Sequence, residues 1–211
     1  MKSLSKIACA VALFSVATLS QATTYSNVSS ASGTIIYFGA PDTTSYGEVF
    51  GGVGGTLQDF TFYTQDGNAG GMFLTVAQWD GSKAVGPALY SSAVSYGGGA
   101  QAVGASGINL ALSASNSYIA YLTVAGASSP ATSVSLGASS DSGNLPNGAF
   151  RFLNSNGTDP LTMNQPWSSW YQTNMTFTAN VSAVPEADSY AMMLAGLAVL
   201  GAVARRKAKR G

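Results

Sequence analysis

The chain has 211 residues, of which 46% are hydrophobic and 9% are charged, with nine basic residues, nine acidic residues and no histidine. Seven of the nine basic residues lie in the two terminal segments, so the region from Thr23 to Ala183 keeps two basic and seven acidic residues, a net charge of −5. A sparsely charged and mildly acidic domain lacks the positive surface that binds phosphate backbones, which argues against nucleic acid as a partner.

Residues 1–22 predict a secretory signal peptide. Lys2 and Lys6 precede an apolar run, Ile7–Ala17, and small residues occupy the −3 and −1 positions of a cleavage site between Ala22 and Thr23. The run is well short of the roughly 20 apolar residues that span a bilayer as a stable helix. A cleaved signal helix is therefore the preferred interpretation over an N-terminal membrane anchor.

Residues 23–183 predict one mostly β domain. In the segment Asn174–Ser182 every second residue is apolar, which is the two-residue period of a half-buried strand. Seven further strands are predicted: Leu57–Thr64, Met72–Trp79, Ala88–Tyr96, Ile108–Ser113, Tyr118–Val124, Thr132–Leu136 and Phe150–Leu153. Turns rich in Asn, Asp and Gly separate these runs, so we expect an antiparallel β-sandwich or jelly roll with few helices.

The composition disfavours catalysis. Without histidine the chain lacks the usual general base for a serine or cysteine nucleophile and the commonest transition-metal ligand. The only cysteine, Cys9, falls in the signal peptide, so the mature chain forms no disulfide and no thiolate metal site. A carboxylate pair drawn from residues such as Asp59, Asp80 and Asp159 leaves a histidine-free glycosidase as an alternative. Solvated strand and turn roles explain these aspartates better, and we expect no enzyme.

One loop has the alternating oxygen groups that hard cations favour. Asn154, Asn156 and Asp159 lie in the sequence Asn-Ser-Asn-Gly-Thr-Asp. A calcium ion needs about six oxygen ligands, and this loop lacks the acidic residues to supply them. A polar loop is the preferred interpretation, and we expect neither a metal nor a cofactor.

An aromatic segment, Pro166–Tyr171, is the strongest candidate for ligand binding. Trp167, Trp170 and Tyr171 could stack on the apolar faces of sugars or fill a partner's pocket. A carbohydrate-binding module is therefore a second alternative function. In the competing interpretation, which we favour, Trp167 and Trp170 close one end of the sandwich core.

The C-terminal residues 184–211 contain three different segments. Proline makes Val184–Ala187 extended, because it disfavours helical geometry in the preceding residue. An apolar run at about 190–204 predicts a short transmembrane helix. Five basic residues then form a stop that the positive-inside tendency retains in the cytoplasm: Arg205, Arg206, Lys207, Lys209 and Arg210.

This tail resembles the PEP-CTERM sorting signal, which combines a Pro-Glu motif, a short hydrophobic helix and an arginine-rich end. Val184, Pro185 and Glu186 match the motif, and Ala187 stands where a second proline is usual. The resemblance implies recognition and cleavage by an exosortase-like membrane protease, contact with the inner membrane in transit, and release to the surface or exterior of a Gram-negative cell. It further implies a setting rich in extracellular polysaccharide. We therefore expect a structural or adhesive protein of the cell surface or matrix.

Overall fold

The computed structural model describes residues 22–41, 43–170, 173–183, 194–201 and 205–206. Within them, Ala22–Ser182 form one compact unit. It contains twelve strands: β1 (Ala22–Ser26), β2 (Ala31–Phe38), β3 (Ser45–Gly51), β4 (Gly55–Asn68), β5 (Gly70–Trp79), β6 (Ala84–Tyr96), β7 (Gln101–Leu112), β8 (Ser117–Thr123), β9 (Thr132–Ser139), β10 (Ala149–Leu153), β11 (Asn174–Met175) and β12 (Phe177–Ser182). Two 3-10 turns, Val28–Ser30 and Pro160–Thr162, complete the unit.

The strands form two sheets in which all the strand pairings are antiparallel. The seven-stranded sheet runs β1-β12-β4-β9-β11, with β7 also on β4 and β2 also on β9. The five-stranded sheet runs β10-β3-β8-β5-β6. The predicted class, mostly β and antiparallel, is confirmed.

The chain changes sheets sharply between β4 and β5, where only Ala69 separates the two strands. Gly70 makes this corner possible. A Cβ atom on Gly70 would stand 2.4 Å from the backbone nitrogen of Ala131, a distance that no real side chain tolerates. A glycine at this point lets the two backbones approach closely enough to turn the corner.

The inner faces of the two sheets share one core of alternating apolar residues. Phe50 from β3 approaches Phe60 from β4 with ring centroids 5.9 Å apart, which joins the sheets. Phe60 also stacks on Phe177 of β12 at 5.5 Å. All three side chains are at most 1% exposed. This aromatic contact belongs to the core that both layers share.

Three strands were not predicted from the sequence, namely β1, β2 and β3. Serine and glycine interrupt the apolar alternation in β2, and β3 is buried along its whole length instead of on alternate residues. The two-residue period therefore could not identify them. Further along, β7 starts at Gln101, inside a glycine-rich segment whose composition is more typical of a loop.

The two ends of the compact unit are adjacent. Ala22 pairs with Ser182 and Thr23 pairs with Val181, so β1 and β12 lie side by side in the seven-stranded sheet. The predicted cleavage position between Ala22 and Thr23 therefore falls at the start of β1. Residues 1–21, which hold the rest of the predicted signal peptide, lie outside the described residues.

Replacing Phe60 by alanine should destabilise the domain by about 3–5 kcal/mol, the usual cost of removing a large aromatic side chain from a tight core. Leu89→Ala is the matched control, because Leu89 is 38% exposed and should change stability by less than about 1 kcal/mol. Chemical denaturation of both variants measures the difference. Equal losses would show that the contact between the sheets is not centred on Phe60.

Candidate functional site

The structure separates the predicted aromatic residues. Trp167 is 6% exposed and packs edge-on against Tyr121 at 5.3 Å and Trp79 at 6.2 Å between ring centroids. Its backbone nitrogen donates to the carbonyl oxygen of Ser82 at 2.9 Å. Trp167 is therefore held as a packing residue on the outer face of the five-stranded sheet, away from solvent.

Trp170 has a different environment. It is 44% exposed and lines a cleft of about 240 Å³ with residues that include Ile35, Phe150 and Thr173. This cleft lies where β10 approaches β2. Tyr171, the third predicted ligand-binding residue, lies outside the described residues. Trp167 and Trp170 consequently do not line the same cleft.

Trp167 belongs to a second apolar cluster, called here the outer-face cluster, which lies on the outer face of the five-stranded sheet. Its members come from β3, β5, β6, β8 and β10 and from the segment 154–170: Val49, Ala77, Trp79, Ala84, Ile119, Tyr121, Leu153 and Trp167, with Leu161 and Met163 packed against them. The segment 154–170 therefore folds back over the sheet. It covers the half of the outer face that carries the apolar side chains.

Hydrogen bonds fix both ends of this covering segment. Near its start, the buried hydroxyl of Ser155 bonds to that of Thr44. Near its end, the ammonium group of Lys83 donates to the side-chain oxygen of Asn164. Together with the backbone bond of Trp167, these contacts tie the segment to the sheet and to the turn between β5 and β6.

Beside the outer-face cluster lies a cleft of about 370 Å³, called here the outer-face cleft. Its floor is the polar half of the same sheet face and its wall is the covering segment. The lining residues include Phe73, Thr75, Ser91, Tyr121, Thr123 and Asp159. The hydroxyls of Thr75 and Ser91 are hydrogen-bonded across β5 and β6 at 3.1 Å. The cleft thus combines aromatic rings, hydroxyl groups and one carboxylate.

The electrostatics of the cleft centre on Tyr121 and Asp159. Burial raises the pKa of the Tyr121 hydroxyl, the negative charge of Asp159 raises it further, and a hydrogen bond with Thr75 opposes the shift. Tyr121 therefore stays protonated and neutral. One oxygen of Asp159 accepts a hydrogen bond from the backbone nitrogen of Leu161 at 3.0 Å, which caps the turn Pro160–Thr162.

The other two aspartates considered for a carboxylate pair have local partners. Asp59, on the seven-stranded sheet, accepts a hydrogen bond from the amide of Asn180 at 3.2 Å. Asp80 accepts from the backbone nitrogens of Ser82 at 2.8 Å and Lys83 at 2.9 Å. These bonds lower the pKa of Asp80. The carboxylate of Asp80 therefore stabilises a turn, and that of Asp59 bonds to the neighbouring strand β12.

In the loop 154–159, which was considered as a cation site, the candidate residues have different structural roles. Asp159 caps the following 3-10 turn, and Asn156 adopts a left-handed backbone with φ of 48°. Within the described part of the chain, no group of three or more His, Cys, Asp or Glu side chains is placed to hold a metal ion.

Sequence reasoning missed the lining of the outer-face cleft, although a signal for it was present. Phe73 and Thr75 alternate with the core residues of the predicted strand Met72–Trp79, so both face outward. Tyr121 has the same position in the strand Tyr118–Val124. An aromatic ring on the polar face of a strand, next to hydroxyl groups, is the pattern that could have identified this surface.

A second feature that sequence reasoning missed is a carboxyl group inside the core. Glu48 lies on β3 between Tyr46 and Phe50 along the inner face and is fully buried. Its Oε2 accepts a hydrogen bond from the backbone nitrogen of Met175 at 2.9 Å. Because Met175 belongs to the other sheet, this bond links the two layers directly.

The other side-chain oxygen of Glu48 and the side-chain oxygen of Asn174 have no hydrogen-bond partner among the described residues. Both lie near one point, 3.4 Å and 3.3 Å from where a Cβ atom on Gly148 would stand. Burial raises the pKa of Glu48 well above its ordinary value, and the bond from Met175 and the charge of Arg151 oppose this only partly. Burial therefore favours the protonated, neutral form of Glu48.

Glu48→Gln should remove a pH dependence from the free energy of unfolding. In an unfolded chain a glutamate titrates near pH ~4.3, whereas the folded protein holds the Glu48 proton to higher pH. Between the two pKa values only the folded state keeps the proton, so the wild type loses stability as the pH rises, by about 1.4 kcal/mol per pH unit. The variant carries no such proton.

Denaturant titrations of the wild type and the variant between about pH 4 and pH 8 measure this effect. Both proteins share every other carboxyl group, so the difference between their stabilities isolates Glu48. A difference that stays constant with pH, or that favours the wild type as the pH rises, would contradict a raised pKa.

The C-terminal tail is described only in part. Residues Leu194–Gly201 are helical, and the large apolar side chains in this stretch are 43–62% exposed. Arg205 and Arg206 are also helical and exposed. Val184, Pro185, Glu186, Ala187, Lys207, Lys209 and Arg210 lie outside the described residues. In the part of the tail and domain that the structure covers, no helix has the length and apolar character to cross a membrane.

Comparison with protein families identifies the tail. A family model described as the PEP-CTERM protein-sorting motif matches residues 183–207. The chain therefore carries this sorting motif at its C-terminal end, immediately after the last strand. The motif implies export from the cell and processing by an exosortase. No curated protein matches the sequence.

Two solved structures resemble the β domain. One contains the cysteine protease and lectin-like domains of Cwp84, a surface layer associated protein of Clostridium difficile, with a TM-score of 0.50 and 10% identity. The match covers 77% of this chain and 36% of that one, so the chain spans about a third of its length. The other, Clostridial Cwp84 after propeptide cleavage, gives a TM-score of 0.46 at 13% identity, over 77% and 40% of the two chains. At this identity the first likeness concerns the fold alone.

Proposed function

We propose that this protein is delivered to the cell surface or the extracellular matrix by an exosortase-like membrane protease, which cuts near Pro185 and Glu186 and releases the β domain. One observation carries the proposal. The sorting motif begins at residue 183, one position after β12 ends at Ser182. Cleavage in this motif therefore removes no strand of the domain.

The exposed apolar helix supports a membrane stage before cleavage. Leu194, Leu197 and Leu200 are 62%, 58% and 43% exposed, which is costly in water but favourable in lipid. Val199 adds a fourth exposed apolar side chain at 55%. In this proposal the apolar run at 190–204 enters the inner membrane and the basic residues that follow keep its end in the cytoplasm.

The proposed role of the released domain is structural or adhesive, with no catalysis of its own. The absence of histidine and the local hydrogen bonds of Asp59 and Asp80 support this. The fold likeness to a structure that contains a lectin-like domain of a surface layer associated protein is consistent with a role at the cell surface. Extracellular polysaccharide is the partner we propose for such a domain.

The mature protein should begin near Thr23 and lose most of the residues after Val184. Intact-mass measurement of the exported form checks both ends at once. Retention of residues 190–211 on the exported protein would overturn the proposal of cleavage and leave a permanent membrane anchor.

Two sets of tail variants should fail at different steps. Replacing Arg205, Arg206, Lys207, Lys209 and Arg210 by glutamine removes the charge that opposes translocation, so the uncut protein should reach the periplasm. Replacing Pro185 and Glu186 by alanine leaves the apolar run and its basic stop in place. That protein should insert normally, escape cleavage and accumulate in the inner membrane.

Cell fractionation of tagged variants, with the tag after Thr23, distinguishes these results. Asp188→Ala is the matched control, since it changes a charge in the same tail but not in the Pro-Glu motif, and it should be processed as the wild type is. Normal processing of the Pro185 and Glu186 variant would show that recognition depends on other residues.

A further inference from the structure

The outer-face cleft contains a partly exposed aromatic side chain, Phe73. Phe73 lies on the outer face of β5, and part of its ring is accessible. The residues next to it in the strand, Met72 and Leu74, point to the inner face and are fully buried. Gly126 lies at the rim, and a Cβ atom there would stand 3.9 Å from Cε2 of Phe73. With no side chain at this position, the edge of the ring remains uncovered.

The polar groups around Phe73 can both donate and accept hydrogen bonds. Thr75 and Ser91 form one hydroxyl pair on the floor, and each hydroxyl can reverse its direction when a ligand arrives. At the wall, Asp159 uses one carboxylate oxygen to cap the turn. Its second oxygen has no partner among the described residues and can accept bonds from neighbouring hydroxyl groups of a ligand.

The charges of the cleft exclude other ligand classes. Among the described residues, no lysine or arginine lines it, and the carboxylate of Asp159 repels anions, so phosphates and acidic sugars are disfavoured. A wholly apolar ligand would bury the hydroxyls and the carboxylate. These groups would lose their hydrogen bonds to water and gain none from the ligand, at a large cost. A neutral ligand with one apolar face and a rim of hydroxyl groups satisfies both parts of the site.

We propose that the outer-face cleft binds a neutral saccharide, with the C–H face of a pyranose ring against Phe73 and its hydroxyl groups on Asp159 and the Thr75–Ser91 pair. A volume of about 370 Å³ lies within the range of small-ligand pockets. This site is distinct from the cleft at Trp170, whose described lining residues include no carboxylate. The inference names the ligand class of the proposed surface domain, but binding can be measured whether or not the sorting proposal holds.

The site is preorganised, which lowers the cost of binding. The Thr44–Ser155 hydroxyl bond and the packed Trp167 hold the wall of the cleft before any ligand arrives. Since ordering a loop on binding consumes free energy, a fixed wall keeps more of the contact energy as affinity.

The test uses the exported protein in an array of neutral and charged glycans, followed by calorimetric titration with cellotetraose and with the strongest neutral glycan of the array. We expect saturable binding of at least one neutral glycan. Binding restricted to sulfated or phosphorylated glycans, or binding to none, would overturn the proposal.

Variants locate the site. Phe73→Leu keeps an apolar side chain but removes the flat ring, and should weaken binding about 5-fold. Asp159→Asn keeps the cap, since asparagine caps as well as aspartate, but removes the charged acceptor and should weaken binding about 10-fold. Circular dichroism and denaturation confirm that both variants remain folded.

Two controls match these changes. Asp66→Asn alters the net charge by the same amount at an exposed position of β4, and Trp170→Leu removes the aromatic ring of the other cleft. Neither should change the affinity. Loss of binding in Trp170→Leu with normal binding in Phe73→Leu would move the site to the other cleft and overturn the proposal.

Discussion

The structure depends on the contact between the inner faces of its two sheets. Each sheet has an apolar side that is stable only when covered, and the Phe50, Phe60 and Phe177 rings show how closely the two sides approach. The same contact completely buries a carboxyl group, that of Glu48. Its bond to Met175, like the bond from the Tyr46 hydroxyl to the carbonyl oxygen of Ile36, adds a directional link between the two layers. A protonated glutamate is the form that fits, because an ion there would lack sufficient partners.

Once the inner faces are paired, the outer face of the five-stranded sheet becomes the surface on which further structure is built. The segment 154–170 covers its apolar half, and Trp167 is the side chain that fills the contact. The hydroxyl-bearing half stays open as the outer-face cleft. The boundary between the two halves runs through Tyr121, which packs against Trp167 on one side and lines the cleft on the other.

Periodicity predicted strands such as β12, whose residues alternate between buried and partly exposed positions, because this alternation is visible in the sequence. It failed for β3, where both faces are covered, one by the core and one by the outer-face cluster and its surroundings. A strand with two buried faces has no alternation to detect.

The aromatic segment raised a different difficulty. Residue type predicts that tryptophans bind or pack, but only the path of the chain shows that Trp167 and Trp170 meet different surroundings.

The tail was predictable because its function depends on the order of local features and not on folding. A Pro-Glu dipeptide, an apolar run and a basic end are visible without tertiary structure, and the family match covers residues 183–207 of this tail. The ligand of the domain depends instead on residues brought together from β5, β6, β8 and the covering segment, which no local motif reveals.

The topology also explains how export and binding coexist in one chain. Both ends of the domain lie on β1 and β12, which are neighbouring strands of the seven-stranded sheet. The outer-face cleft lies on the five-stranded sheet. Removal of either terminal segment, or attachment through either end, therefore takes place at the seven-stranded sheet, whereas the cleft lies on the five-stranded sheet. Since none of the described residues that line the cleft belongs to β1, β12 or the tail, processing at the ends removes no part of the cleft lining.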